Sequence, residues 1–225
     1  MPMFATKAVV TITSAFVLLV VSACDGRADV SPWRKLEPAA KAPDSAALRK
    51  AGLDPCSHLL IAEGNTAVAI CRKAGDSERA PLRVFFLSLA GNEVKVISES
   101  QGSQDAYSGR LALFSSPSSP GEILVLADFS AEFCYGTRVF WIEQNRRLRE
   151  VGAIDDVLDI NGEAKCVTDA SSVWTDSTGN VEIRVAREVS VPQKNGSYEA
   201  LGGRSVKYVI ERGDSGRFSR VVAPK

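Results

Sequence analysis

Beyond residue 52 the apolar positions fall in short runs punctuated by turn residues, without the three-to-four-residue spacing of long amphipathic helices. Val181, Ile183 and Val185 alternate with Glu182 and Arg184, the period-two mark of a half-buried strand. "ILVLA" at 123–127 and "VFWI" at 139–142 are apolar at successive positions, which predicts central strands buried on both faces. Gly, Asn, Asp and Ser stand where tight turns need them.

These runs line up as three copies of one unit. The first reads HLLIA, AVAICRK, LRVFFLSL and EVKVISES. The second reads RLALFSS, EILVLADF, TRVFWIEQ and LREVGAI. The third reads SSVWTD, NVEIRVAREV, RSVKYVIER and RFSRVV. Each unit predicts four antiparallel strands, A to D. The expected fold is therefore all-β, with a propeller-like array of three four-stranded units. A β-trefoil or a β-sandwich is the alternative, because propellers usually close with four to eight blades.

In an up-and-down unit the A–B and C–D turns share one end, and the B–C and D–A connections share the other. Here the first set is short and the second long, for example "KAGDSERAP", "SAEFCYG" and "DDVLDINGEAKCVTDA". Cys56, Cys71, Cys134 and Cys166 all fall at the long-loop end. The EGNT hairpin places Cys71 opposite about residue 58, with Cys56 two positions along the same face. Disulfides Cys56–Cys71 and Cys134–Cys166 are the expected pairing among three connectivities. No C-x-x-C occurs, and His58 is the one histidine, so a zinc site is not expected.

The beginning of the chain has a different character. Ala8 to Ala23 are sixteen uncharged residues after the lone Lys7, too few for a typical membrane-spanning helix. They fit a secretory signal. The run ends in Val21-Ser22-Ala23-Cys24, which resembles the lipobox of bacterial lipoproteins, with Val where Leu is commonest. The resemblance implies cleavage before Cys24, acylation of Cys24 and an address in the bacterial cell envelope, lipid-anchored and facing the periplasm. Asp25 resembles the inner-membrane retention signal of enteric-type bacteria, a rule that varies between lineages, so inner versus outer membrane stays open.

Residues 1–23 are thus expected to be a signal peptide, and 53–225 a single domain. Residues 24–52, rich in Ala, Pro and charge, predict a tether. Within it Ser45 to Ala51 predict a short helix, capped by Asp44 and stopped by Gly52. Without residues 1–23 the chain carries 26 basic and 27 acidic residues, a balance that argues against nucleic acid as a partner.

Several motifs tempt and fail. "GDSG" at 213–216 resembles the nucleophile segment of trypsin-like proteases, but Arg217 and Phe218 follow it and "CSHLL" lacks that family's histidine context. "DINGE" at 159–163, with Asp156 nearby, misses calcium-loop spacing because Val157 stands where an acid is required. "NRRLR" at 145–149 reads as a solvated strand edge, and "NGS" at 195–197 as a type I′ turn. No catalytic set, metal or cofactor is expected.

The candidate partner-binding residues are Glu132, Phe133 and Tyr135, on a loop that a Cys134–Cys166 bridge would pin. The expected function is a non-enzymatic envelope lipoprotein that binds a periplasmic protein through its long-loop end, in an inhibitor or immunity role. That role resembles propeller-like periplasmic lipoproteins in architecture and address alone. The alternatives are a scaffold or assembly subunit of an envelope complex, and an enzyme acting on cell wall or lipid.

Overall fold

The computed structural model describes residues 30–37, 43–104, 106–212 and 216–223. Cys24 and the predicted signal peptide lie outside the described residues, as do 213–215 of the GDSG segment. The described chain is almost all β, in antiparallel sheets.

Each repeat of the sequence folds as one four-stranded meander. Sheet 1 holds β3 (Leu53–Ile61), β4 (Thr66–Lys73), β5 (Arg83–Ala90) and β6 (Glu93–Glu99). It follows β1 (Ser31–Pro32), β2 (Arg34–Lys35) and α1 (Ser45–Lys50). Sheet 2 holds β7 (Ser108–Ser115), β8 (Ile123–Ser130), β9 (Cys134–Ile142) and β10 (Leu148–Ile154). Two small strands, β11 (Leu158–Ile160) and β12 (Glu163–Lys165), then form a hairpin. Sheet 3 holds β13 (Ser171–Thr175), β14 (Val181–Val185), β17 (Val206–Ile210) and β18 (Phe218–Val222). Between its second and third strands lies a second hairpin, β15 (Ser190–Pro192) with β16 (Tyr198–Ala200).

Sheet 2 lies in the middle, which explains its doubly apolar strands. Leu124, Leu126, Val139 and Trp141 pack on Val173, Val181, Ile183 and Tyr208 of sheet 3. The alternate residues Ile123, Val125, Ala127 and Phe140 pack on Val68, Ile70, Val84 and Phe86 of sheet 1. The far side of sheet 1 carries Leu48 and Leu53 against Ala67, Ala69, Phe85 and Leu87. Among the described residues, no sheet closes on itself. Sheet 3 ends the stack with a polar face: Glu182, 3% exposed, is held by Arg184 and Lys207. Burial alone would raise the Glu182 pKa, but these two cationic donors hold it below the ordinary value.

A glycine marks each seam. A Cβ on Gly109 would stand 2.7 Å from Ile70 Cδ1, and one on Gly152 only 2.4 Å from the Phe218 ring. Neither sheet pair could approach as closely with a larger residue there.

Two expectations are corrected. Residues 24–52 are not a free tether throughout. Ser31 and Pro32 pair with Thr175 and Trp174 of sheet 3, and Arg34 and Lys35 with Ser115 and Phe114 of sheet 2. Trp33 between them is 5% exposed, meets Trp141 edge-on at 6.1 Å and donates from Nε1 to Thr175 Oγ1 at 2.9 Å. This strap joins sheets 2 and 3 from the outside. The helix, by contrast, stands where expected, with Asp44 Oδ1 accepting from the Ala47 amide at 2.6 Å.

The second correction concerns the NGS turn. It closes β15–β16 through a Gly196 amide to Gln193 carbonyl bond, with only Gly196 at positive φ (82°). That is a type I turn followed by a left-handed glycine, not a type I′ turn. The Asn161-Gly162 turn has positive φ at both residues, 57° and 81°, and is the type I′ case.

Candidate functional site

The two ends of the stack differ. Short A–B and C–D turns meet at one end. There the Gly121 amide donates to Glu63 Oε2 at 3.1 Å, linking sheets 2 and 1, and Arg212 pairs with Glu122 at 3.1 Å, linking sheets 3 and 2. The long connections gather at the other end, and a series of cross-links makes them rigid.

Both disulfides lie at the long-loop end. Cys56–Cys71 joins neighbouring strands with Cα atoms 4.0 Å apart. The ladder pairs His58 with Ile70, and a bulge at Ser57 then sets Cys56 directly opposite Cys71. The expected register of 71 against 58 was thus one residue out on the straight part of the hairpin. Cys134–Cys166, with Cα atoms 5.3 Å apart, ties the B–C loop of sheet 2 to the connection entering sheet 3. Val157 and Ser190 exchange amide–carbonyl bonds of 3.0 and 2.7 Å, fixing that connection to the β14–β17 loop. On the sheet 1 side, Arg72 donates to the carbonyls of Ala80 and Ala106 at 2.9 and 3.2 Å.

Beneath these loops lies a polar cluster between the sheets. Asp128, 6% exposed, accepts the Thr137 hydroxyl at 2.6 Å and also the Thr168 hydroxyl on the same Oδ1. Burial raises its pKa to about 6, against the two hydroxyl donors, which favour the charged form. Nearby, Arg110 pairs with Asp169 at 3.1 Å. His58 Nδ1 accepts the Leu111 amide at 2.7 Å, so this nitrogen carries no proton. Burial and the Arg110 charge lower its pKa.

A second buried acid braces sheet 3. Asp156, 2% exposed, accepts the Tyr208 hydroxyl at 2.5 Å and Arg220 at 2.7 Å. Burial and the carboxylate push the Tyr208 pKa up. Asp156 is thus engaged within the fold, and Asp159 accepts the Gly162 amide of its own turn at 2.9 Å. Among the described residues no group of three His, Cys, Asp or Glu side chains could hold a metal.

Of the three candidate residues, Glu132 and Phe133 stand on the B–C loop of sheet 2 and Tyr135 is the second residue of β9, and all are exposed. Phe133 is 53% and Tyr135 41% exposed, and their rings meet edge-on at 5.2 Å. Rings that merely sealed the core would be buried. Between them Cys134 is 4% exposed and held by its disulfide, so both rings project from an anchored backbone. Tyr107, 65% exposed, stands one strand away, its amide donating to the Ser130 carbonyl at 3.1 Å. Tyr198, 43% exposed, caps the β15–β16 hairpin at the same end. Among the described residues, four of the six exposed large apolar side chains therefore lie at the long-loop end. Tyr107 and Tyr198 were missed in the sequence, although each sits in a Ser/Gly-rich connection where a core tyrosine is out of place.

The surface around the ring pair is acidic. Glu132, Asp155, Asp159, Glu163 and Asp169 lie on the two bridged connections, against Arg110 and Lys165. Rigid exposed aromatics within a charged rim suit recognition of another macromolecule.

No protein-family model, curated protein or solved structure matches the chain.

Proposed function

We propose that this protein is a bacterial envelope lipoprotein, anchored through Cys24, that binds a periplasmic protein partner with its long-loop end. Its three sheets act as an open, propeller-like array whose loops form the binding face. The inhibitor or immunity role fits best, because rigid exposed loops on a stable scaffold suit the blocking of another protein. The observation that carries the reading is the exposed Phe133–Tyr135 pair on a disulfide-held loop. Preformed anchors of this kind lose little entropy on binding. The acidic rim suits a partner with a basic surface.

The test is mild crosslinking in native membranes followed by purification, with the wild-type chain and a Phe133→Ala/Tyr135→Ala variant side by side. One stoichiometric hydrolase or toxin, present with the wild type and lost from the variant, supports the reading. Several envelope-complex subunits that survive the double substitution would instead favour a scaffold. Equal recovery of a single partner by both chains would move the binding face elsewhere.

A further inference from the structure

We infer that the short-turn end of the stack is a membrane-apposed surface that rests on anionic phospholipid headgroups, so that the long-loop end faces away from the bilayer. The inference rests on the proposed acylation of Cys24.

The first argument is where the chain enters the fold. Ser31 pairs with Thr175, the last residue of β13 before its short A–B turn, and Arg34 pairs with Ser115, the last residue of β7 before its own. The strap therefore begins at the short-turn end. Pairing of Trp33 and its neighbours makes this entry point part of the fold.

The second argument is length. Only seven Cα–Cα steps separate Cys24 from Ser31. Even fully extended they span at most about 25 Å. An eight-residue strand such as β8 is itself about 26 Å long at roughly 3.3 Å per residue. With its long loops toward the bilayer, the domain would need the whole reach of that segment just to run along its flank. With its short turns toward the bilayer, it needs almost none.

The third argument is charge. At the short-turn end, sheets 2 and 3 and the strap carry Arg34, Lys35, Arg146, Arg147, Arg149, Arg212 and Arg217, all exposed. The acids among them are largely taken up. Glu143 pairs with Arg149, Glu122 with Arg212, and Asp176 accepts the Thr178 and Asn180 amides of its own turn. Lys35, Arg146, Arg147 and Arg217 have no ion-pair partner among the described residues, and the exposed described acids near them are Glu211 and, two residues past Lys35, Glu37. The short turns of sheet 1 instead carry Glu63 and Glu93. The unpaired Arg146, Arg147 and Arg217 thus lie at the β10–β18 edge of the seam between sheets 2 and 3, with Lys35 at its β7–β13 edge, where the strap enters. Basic side chains next to a lipid anchor are drawn to anionic headgroups, and the two attachments reinforce each other. The domain should tilt, with that seam lowered and the turns of sheet 1 held off.

The test uses the isotope-labelled mature chain purified from membranes and placed in nanodiscs of phosphatidylethanolamine and phosphatidylglycerol, with a trace of gadolinium-chelating lipid. Paramagnetic broadening of backbone amides reads distance from the headgroups. Amides of Ser119, Gly121 and Glu122 and those at 145–147 and 177–179 should lose intensity several-fold more than those at 160–163 and 194–197. Equal or reversed broadening overturns the orientation. In Arg146→Gln/Arg147→Gln/Arg217→Gln the excess broadening of 145–147 over 63–65 and 91–93 should disappear, and its persistence overturns the charge argument. Mass measurement of the amino-terminal peptide separates the premises: a chain without acyl groups at Cys24 overturns the anchoring and the orientation together, whereas an acylated chain with broadened long loops overturns the orientation alone.

Discussion

Asp128 makes the stability of this protein depend on pH in an unusual direction. Its carboxyl is buried between the sheets, and burial lifts its pKa from 3.8 to about 6. The native state therefore holds a proton that the unfolded chain releases at lower pH. Between about pH 4 and 6 the native state binds more protons, so stability falls as pH rises through this window. A shift of about two units corresponds to roughly 3 kcal/mol, absent at low pH and fully felt at pH 7.

Asp128→Asn removes the titration and keeps an Oδ1 acceptor for the Thr137 and Thr168 hydroxyls. The variant should match the wild type near pH 4 and exceed it by about 3 kcal/mol near pH 7. The groups facing Asp128, namely Asp169, Arg110 and more distantly His58, are the same in both proteins. His58 works in the opposite sense. Its lowered pKa means stability is lost as pH falls below its ordinary value, a contribution that cancels in the difference between the two chains. Urea unfolding of both proteins across the window is the assay. A difference that stays constant with pH, or a variant less stable than wild type at pH 7, would refute the reasoning.

The remaining predictions concern the strap, the bridges and the rings. Trp33→Ala should cost about 3–5 kcal/mol in denaturant unfolding and open residues 34–37 to limited proteolysis, because it empties a buried site on both sheets 2 and 3. Replacing Cys134 and Cys166 by Ser frees a loop of 32 residues and should cost about 3.7 kcal/mol on the chain-entropy account, against about 3.0 kcal/mol for the 15-residue Cys56–Cys71 loop, read from unfolding midpoints. Tyr208→Phe leaves Asp156 with Arg220 but without its hydroxyl donor, and should cost about 1–3 kcal/mol. Phe133→Ala/Tyr135→Ala should stay within about 0.5 kcal/mol of wild type, since exposed rings contribute to binding and not to the core.

The twelve strands of the three meanders were legible because their period and turns are local properties. "ILVLA" announced a strand buried twice over, and that is where β8 lies. The bridging cysteines were legible because topology alone put all four at one end. What stayed hidden depends on distant parts of the chain. "SPWRK" has the proline and charge of a linker, and it forms strands only because the edges of β7 and β13 leave backbone groups open to it. Its one sign was Trp33, a large apolar residue alone in a polar stretch. Asp128 was visible as an acid within "EILVLADF", but its two hydroxyl donors come from β9 and from the Thr168–Ala170 turn. The hairpins β11–β12 and β15–β16 read as loops, since three-residue strands carry too little pattern to register.

The most direct test of the binding face is site-specific photo-crosslinking in living cells, with the reactive side chain at Tyr135 on the long-loop end or at Thr178 on the short-turn end. The account predicts one stoichiometric protein adduct from position 135 and none from position 178. An adduct from position 178 alone, or from neither position, would contradict it.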